Sequence, residues 1–138
     1  MKNAKWMLPV ILTLLSGLMA AQSLTSSSVV AKVPFDFMVN NKIIPAGECT
    51  VRAVSGDVLA IQNFEARKGA LASSSHANAS KDHRTVMVFQ RYGSQYFLSE
   101  IRIQGNSLSY KLPQSRAEAE LRAQNTPSSQ QTLLALLK

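Results

Sequence analysis

The chain has 138 residues, the length of one domain, with 15 Lys and Arg against 8 Asp and Glu and a formal charge of +7. Its single cysteine, Cys49, excludes an intramolecular disulfide. The basic residues are spread along the chain and form no run, which speaks for a solvated basic surface and against a specific nucleic-acid site.

Residues 1–21 have the three-part layout of a secretory signal peptide. Lys2 and Lys5 come first, then an uncharged apolar run over 6–20, then Ala20, Ala21, Gln22 and Ser23. The run contains Pro9 and falls short of the roughly 20 residues that span a bilayer. The expectation is export, with cleavage after Ala20 or Ala21 and no transmembrane anchor remaining. Without its leader the chain keeps 13 Lys and Arg against 8 Asp and Glu, in the periplasm or outside the cell.

Residues 22–123 read as one all-β domain ending in a short helix, and 124–138 as a flexible tail. A Ser-rich lead-in covers 24–30. A strand is expected over 33–39, where Val33, Phe35, Phe37 and Val39 share one face, with Pro34 restricting it to an edge or to the strand's start. Asn40 and Asn41 suit a tight turn because Asn tolerates positive φ, and a short strand over 42–44 follows. Pro45, Ala46 and Gly47 make the next turn. Strands over 49–54 and 58–62 flank Ser55, Gly56 and Asp57, with Leu59 and Ile61 facing inward. Residues 70–80 are small and nearly aperiodic. A strand through Ala70, Leu71 and Ala72 fits, and the remainder reads as a flexible loop.

The clearest pattern lies over 84–112, a three-stranded meander turning at Gly93-Ser94 and Gly105-Asn106. Two-residue loops set Gln90 opposite Phe97, Phe89 opposite Leu98 and Val86 opposite Ile101, and then Ile101 opposite Tyr110. Opposed residues share a face. Val86, Val88, Phe97, Ile101, Ile103, Leu108, Tyr110 and Leu112 therefore make the expected core face. The other face carries Met87, Phe89, Arg91, Tyr96 and Leu98, with Glu100 opposite Lys111. It is too apolar for open solvent and stands as the candidate binding face. The C-terminal helix and its tail, a second subunit or a ligand are the candidate covers. Ser115 and Glu118 form a capping box at the start of a helix over 116–123. Strands at short intervals argue for a single small antiparallel β-sandwich or barrel with a short C-terminal helix.

Four segments together resemble a family of small exported bacterial proteins. They are Val33-Pro34-Phe35-Asp36-Phe37, Ile44-Pro45-Ala46-Gly47-Glu48-Cys49-Thr50-Val51, Arg91-Tyr92-Gly93 with its hairpin, and Leu112-Pro113-Gln114-Ser115-Arg116 with Glu118 and Leu121. The resemblance covers most of the chain after the leader and implies an exported β-domain, with no activity attached. Two departures stand out. Cys49 takes the place of a Tyr in that pattern, and residues 70–80 are poorer in large apolar side chains.

Chemistry-bearing constellations are sparse. His76 and His83, with Asp82, have no compact metal-ligand spacing. No Gly-x-Ser-x-Gly elbow accompanies the serines. Asp36, Asp57 and Glu100 each have a structural explanation, and the only Trp, Trp6, lies in the leader. The expectation is therefore no catalytic residue, no metal and no cofactor. The functional reading is a non-enzymatic structural or protein-interaction module of the cell envelope that meets a protein partner or another copy of itself. The alternative is a small β-barrel binding an apolar small molecule.

Overall fold

A computed structural model describes residues 28–78, 84–105 and 108–138. The leader over 1–21, Asp82, His83 and Asn106 lie outside the described residues. In chain order the strands are β1 (Val29–Val33), β2 (Phe37–Val39), β3 (Lys42–Ile44), β4 (Gly47–Ser55), β5 (Val58–Asn63), β6 (Lys68–Ser73), β7 (Ser75–Asn78), β8 (Val86–Tyr92), β9 (Gln95–Arg102) and β10 (Leu108–Lys111). Helix α1 (Arg116–Ala123) follows, then β11 (Ser128–Leu134) and β12 (Leu136–Leu137). One sheet has the order β12-β1-β4-β5-β6 and the other β11-β8-β9-β10-β7, with the β2–β3 hairpin joined to β9 by a parallel bridge from Met38 to Phe97. The fold is an all-β sandwich whose sheets do not close into a barrel.

Alternation along the strands builds the core. Val29, Ala31 and Val33 of β1, Cys49 and Val51 of β4, and Leu59 and Ile61 of β5 point at the second sheet, which answers with Met87, Phe89, Leu98 and Ile101. Phe37 and Phe35 fill the space between, each edge-on to Phe89 at 5.1 and 5.0 Å.

The expected strand over 33–39 is two strands in different sheets. Pro34 ends β1, and residues 34–36 carry the chain across to β2. Pro45 and Ala46 carry it back from β3 to β4. The two crossings are tied together, since the Ala46 N–H donates to Asp36 Oδ1 at 2.8 Å. The buried Asn63 secures the second crossing, its Nδ2 donating to the carbonyls of Pro45 (3.0 Å) and Ala46 (3.3 Å). Gly47 has φ +139°, and a Cβ there would stand 3.1 Å from Asn63 Nδ2, so glycine is the residue that fits. Asn63→Ala is expected to cost about 1–3 kcal/mol by stranding those carbonyls. A lowered urea midpoint at unchanged m-value is the signature, and an unchanged midpoint would remove Asn63 from this role.

Two further crossings close the sides. The chain bends from β6 to β7 at Ser74, whose N–H donates to the Asp57 carbonyl at 2.7 Å. It bends from β11 to β12 at Ala135, whose N–H donates to the Thr85 carbonyl at 2.9 Å. Both differ from the sequence expectation. The strand fitted through Ala70, Leu71 and Ala72 is present as β6, where Ala70 and Ala72 pack inward, and the difference lies after it: Ser75–Asn78, read as loop, is the strand β7 paired with β10. The segment read as a flexible tail is also ordered. β11 pairs with β8 along its whole length and sets Leu133 against the core, while β12 pairs with β1. Its polar composition hid it: an edge strand buries one side chain in two or fewer.

Candidate interaction surface

The meander corrects the expected faces at one residue. The turn at Gly93, φ +61°, sets the expected register, with Gln90 opposite Phe97 and Phe89 opposite Leu98. Then Ser99 bulges: Val88 pairs with Glu100, Met87 with Ile101 and Val86 with Arg102. Beyond the bulge every residue of β9 changes partner, so Ile101 joins Met87 and Phe89 on the core side. Val86, Val88 and Phe97 fall on the opposite, outer face.

The candidate binding face is therefore mostly core. Met87 and Phe89 are 0% exposed and Leu98 is 4%, because the second sheet covers them. Leu98 also lines a small cavity with Met38, Phe97 and Leu112. Arg91 remains exposed and Tyr96 half-buried at the end of the sandwich. They form a stack: the Arg91 guanidinium lies 5.5 Å from the Tyr96 ring, and Tyr96 lies 3.7 Å from Phe35. Arg91 Nε also donates to the Gly93 carbonyl at 2.7 Å, which holds it to its own turn.

On the outer face, α1 meets β8 through its buried Glu118. Ser115 caps it as expected, its hydroxyl accepting from the Glu118 N–H at 3.2 Å. The Glu118 carboxylate completes no box; it turns to the sheet, and the buried Tyr92 hydroxyl donates to it at 3.0 Å. Burial first, and then this carboxylate, push the Tyr92 phenol above its ordinary range. A polar groove of about 310 Å³ opens beside this pair, lined by Gln90, Lys111, Gln114 and Arg122.

Further along the same face, Arg102 donates to both oxygens of the buried Glu100, at 3.0 and 3.2 Å. Burial pushes this carboxyl up, but Arg102, the Ser109 hydroxyl and the Lys111 charge outweigh it and hold the group below the ordinary 4.5. A carboxyl depressed in the folded state stabilises the fold above the unfolded value, and this stabilisation is lost as pH falls through the lower folded value. Stability is thus expected to fall on acidification below 4.5. In Glu100→Gln the neutral-pH stability drops and that part of the slope flattens, as urea midpoints across pH 2–6 will read; an unaltered slope would rule Glu100 out as its source.

Cys49 is 0% exposed, and burial with the nearby Glu48 pushes its thiol up to about 11, far from a reactive thiolate. His76 packs beside Tyr110 at 5.1 Å. Among the described residues no group of three His, Cys, Asp or Glu is placed to hold a metal ion, and no helix is long and apolar enough to cross a membrane.

The sheet edges are more informative. β3 and β7 are short, and β6 opens with Lys68, all ordinary protections of an edge. β11 has none of these. It runs seven residues, holds an unbroken register with β8, contains no proline, and lies in a stretch, 125–137, without a charged residue. Its outer backbone groups are unpaired among the described strands. Beside it Leu134 is 66% exposed, Leu136 67% and Leu137 44%. Sequence reasoning missed this surface; the signal present was the absence of charge over thirteen residues of a basic chain. Comparison with protein-family models, curated proteins and solved structures finds no match to the chain.

Proposed function

We propose that this chain is an exported, non-catalytic interaction module of the cell envelope that works by accepting an extended segment at the open edge of β11. The leader-like residues 1–21 support export. The observation that carries the reading is the unprotected β11 edge beside three exposed leucines. A row of outward N–H and C=O groups supplies affinity for any extended backbone, and the leucines supply apolar contact. On the outer face Tyr92 is engaged with Glu118 and Glu100 with Arg102, and the reading rests on contact by the β11 edge.

A photo-crosslinking residue at Gln131, compared with one at Arg52 on the opposite sheet, tests this in cells. Discrete, recurring adducts from position 131 alone are expected. Equal, diffuse labelling from both positions would overturn the reading.

An open hollow of about 400 Å³ favours the apolar-ligand reading as a second choice. It lies at the end of the sandwich, lined by Phe37, Met38, Ile43 and Tyr96, with Ile43 62% exposed. A fluorescent apolar probe displaced by Ile43→Lys would support it, and probe binding indifferent to that change would end it.

A further inference from the structure

We infer that the segment accepted at β11 is the β11 of a second copy of this chain, paired antiparallel about a two-fold axis through Gln131. The inference rests on the strand-addition reading above and names its partner. Charge is the first reason. The chain carries +7 overall, yet 125–137 is neutral, so nothing along the edge attracts an acidic or a basic segment, and a neutral edge is its match. β11 is itself such an edge.

Geometry is the second reason. Antiparallel pairing centred on Gln131 sets Ser128 opposite Leu134, Ser129 opposite Leu133, and Gln130 opposite Thr132. All seven positions find partners, no like charges meet, and each pair keeps its face, so the core-side row of one copy continues that of the other. β11 also has no bulge or twist-inducing proline to spoil a continuous ladder, and the register with β8 behind it is regular throughout. The exposed Leu134 would then lie against the start of the neighbouring strand instead of in water.

Native mass spectrometry and light scattering of the exported chain across a concentration series test this, together with hydrogen exchange of β11. A dimer whose fraction rises with concentration is expected, with β11 amides protected in step. Gln131 is exposed, so Gln131→Lys and Gln131→Glu leave the monomer fold intact. Each places two like charges at the axis and is expected to weaken dimerisation at least tenfold. Mixing the two restores a mixed dimer, a rescue that a merely structural residue does not give. A dimer indifferent to both substitutions overturns the inference. So does a monomer at every concentration whose β11 amides are protected only by an added neutral peptide of unrelated sequence, and this result leaves the strand-addition reading standing. Amides of β11 unprotected by either overturn both.

Discussion

Phe89→Ala is expected to remove about 3–5 kcal/mol of stability, a large share of the roughly 5–15 kcal/mol that holds a domain of this size together. The reason is position. Phe89 is 0% exposed, edge-on to both Phe35 and Phe37, and lies opposite Leu98 in the centre of the second sheet. The cavity left by its ring would be walled by Phe35 in the sheet crossing at 34–36 and by Phe37 at the start of β2, which limits collapse. A side chain on an exposed binding face behaves differently, since truncating it shifts stability by no more than about 0.5 kcal/mol. Arg91→Ala supplies the comparison on the same strand: it loses one exposed hydrogen bond and a cation–π contact, about 1 kcal/mol at most. Urea unfolding of the two variants decides between core and binding face. A Phe89 variant as stable as the Arg91 variant would return Phe89 to the surface.

Ending the chain at Asn125 is the second large perturbation. A flexible tail can be cut without consequence, whereas a segment that supplies one strand to each sheet cannot. The deletion takes away the ladder on β8, the core contact of Leu133, the cover that Ala135 gives the side of the sandwich, and the pairing of β12 with β1. It leaves Val86 and Val88 in a bare edge strand. Part of the loss is returned as chain entropy, because the residues of an exposed edge strand are costly to order. The partial burial of Leu133 alone is worth about 1 kcal/mol, and with the β8 edge bared the melting temperature is expected to fall by about 10–20 °C. Thermal unfolding followed by circular dichroism measures this directly. A melting temperature within a degree or two of the intact chain would show that the segment contributes no packing.

Local turn chemistry was legible in the residues. Asn40 and Asn41 have φ of 47° and 66°, and Gly93 and Gly105 have φ of 61° and 80°. The turns expected there follow from residue types that tolerate a left-handed backbone. The same holds for the Ser115 cap and for the inward row of Leu59 and Ile61, which depend on neighbours close in sequence. The segments that carry the family resemblance have a structural explanation too. Phe35, Asp36, Pro45, Ala46 and Gly47 lie at or beside the paired crossings between the sheets, where a proline, a carboxylate acceptor and a positive-φ glycine each have a backbone task. Residue types demanded by backbone geometry say little about activity.

What sequence alone determined is the all-β class, the turns, the helix cap and the alternation within each strand, all consequences of steric rules that act over a few residues. Only the tertiary structure decided which face of the meander is core. The one-residue bulge at Ser99 exchanges the faces of half a strand, and no local preference marks it. Tertiary structure likewise decided that Ser75–Asn78, Ser128–Leu134 and Leu136–Leu137 are strands. Their small or polar side chains bury too little to order themselves, and they become strands only because a neighbouring edge offers unpaired backbone groups. The open edge of β11 belongs to this second kind of knowledge, since an edge exists only once the order of the strands is known.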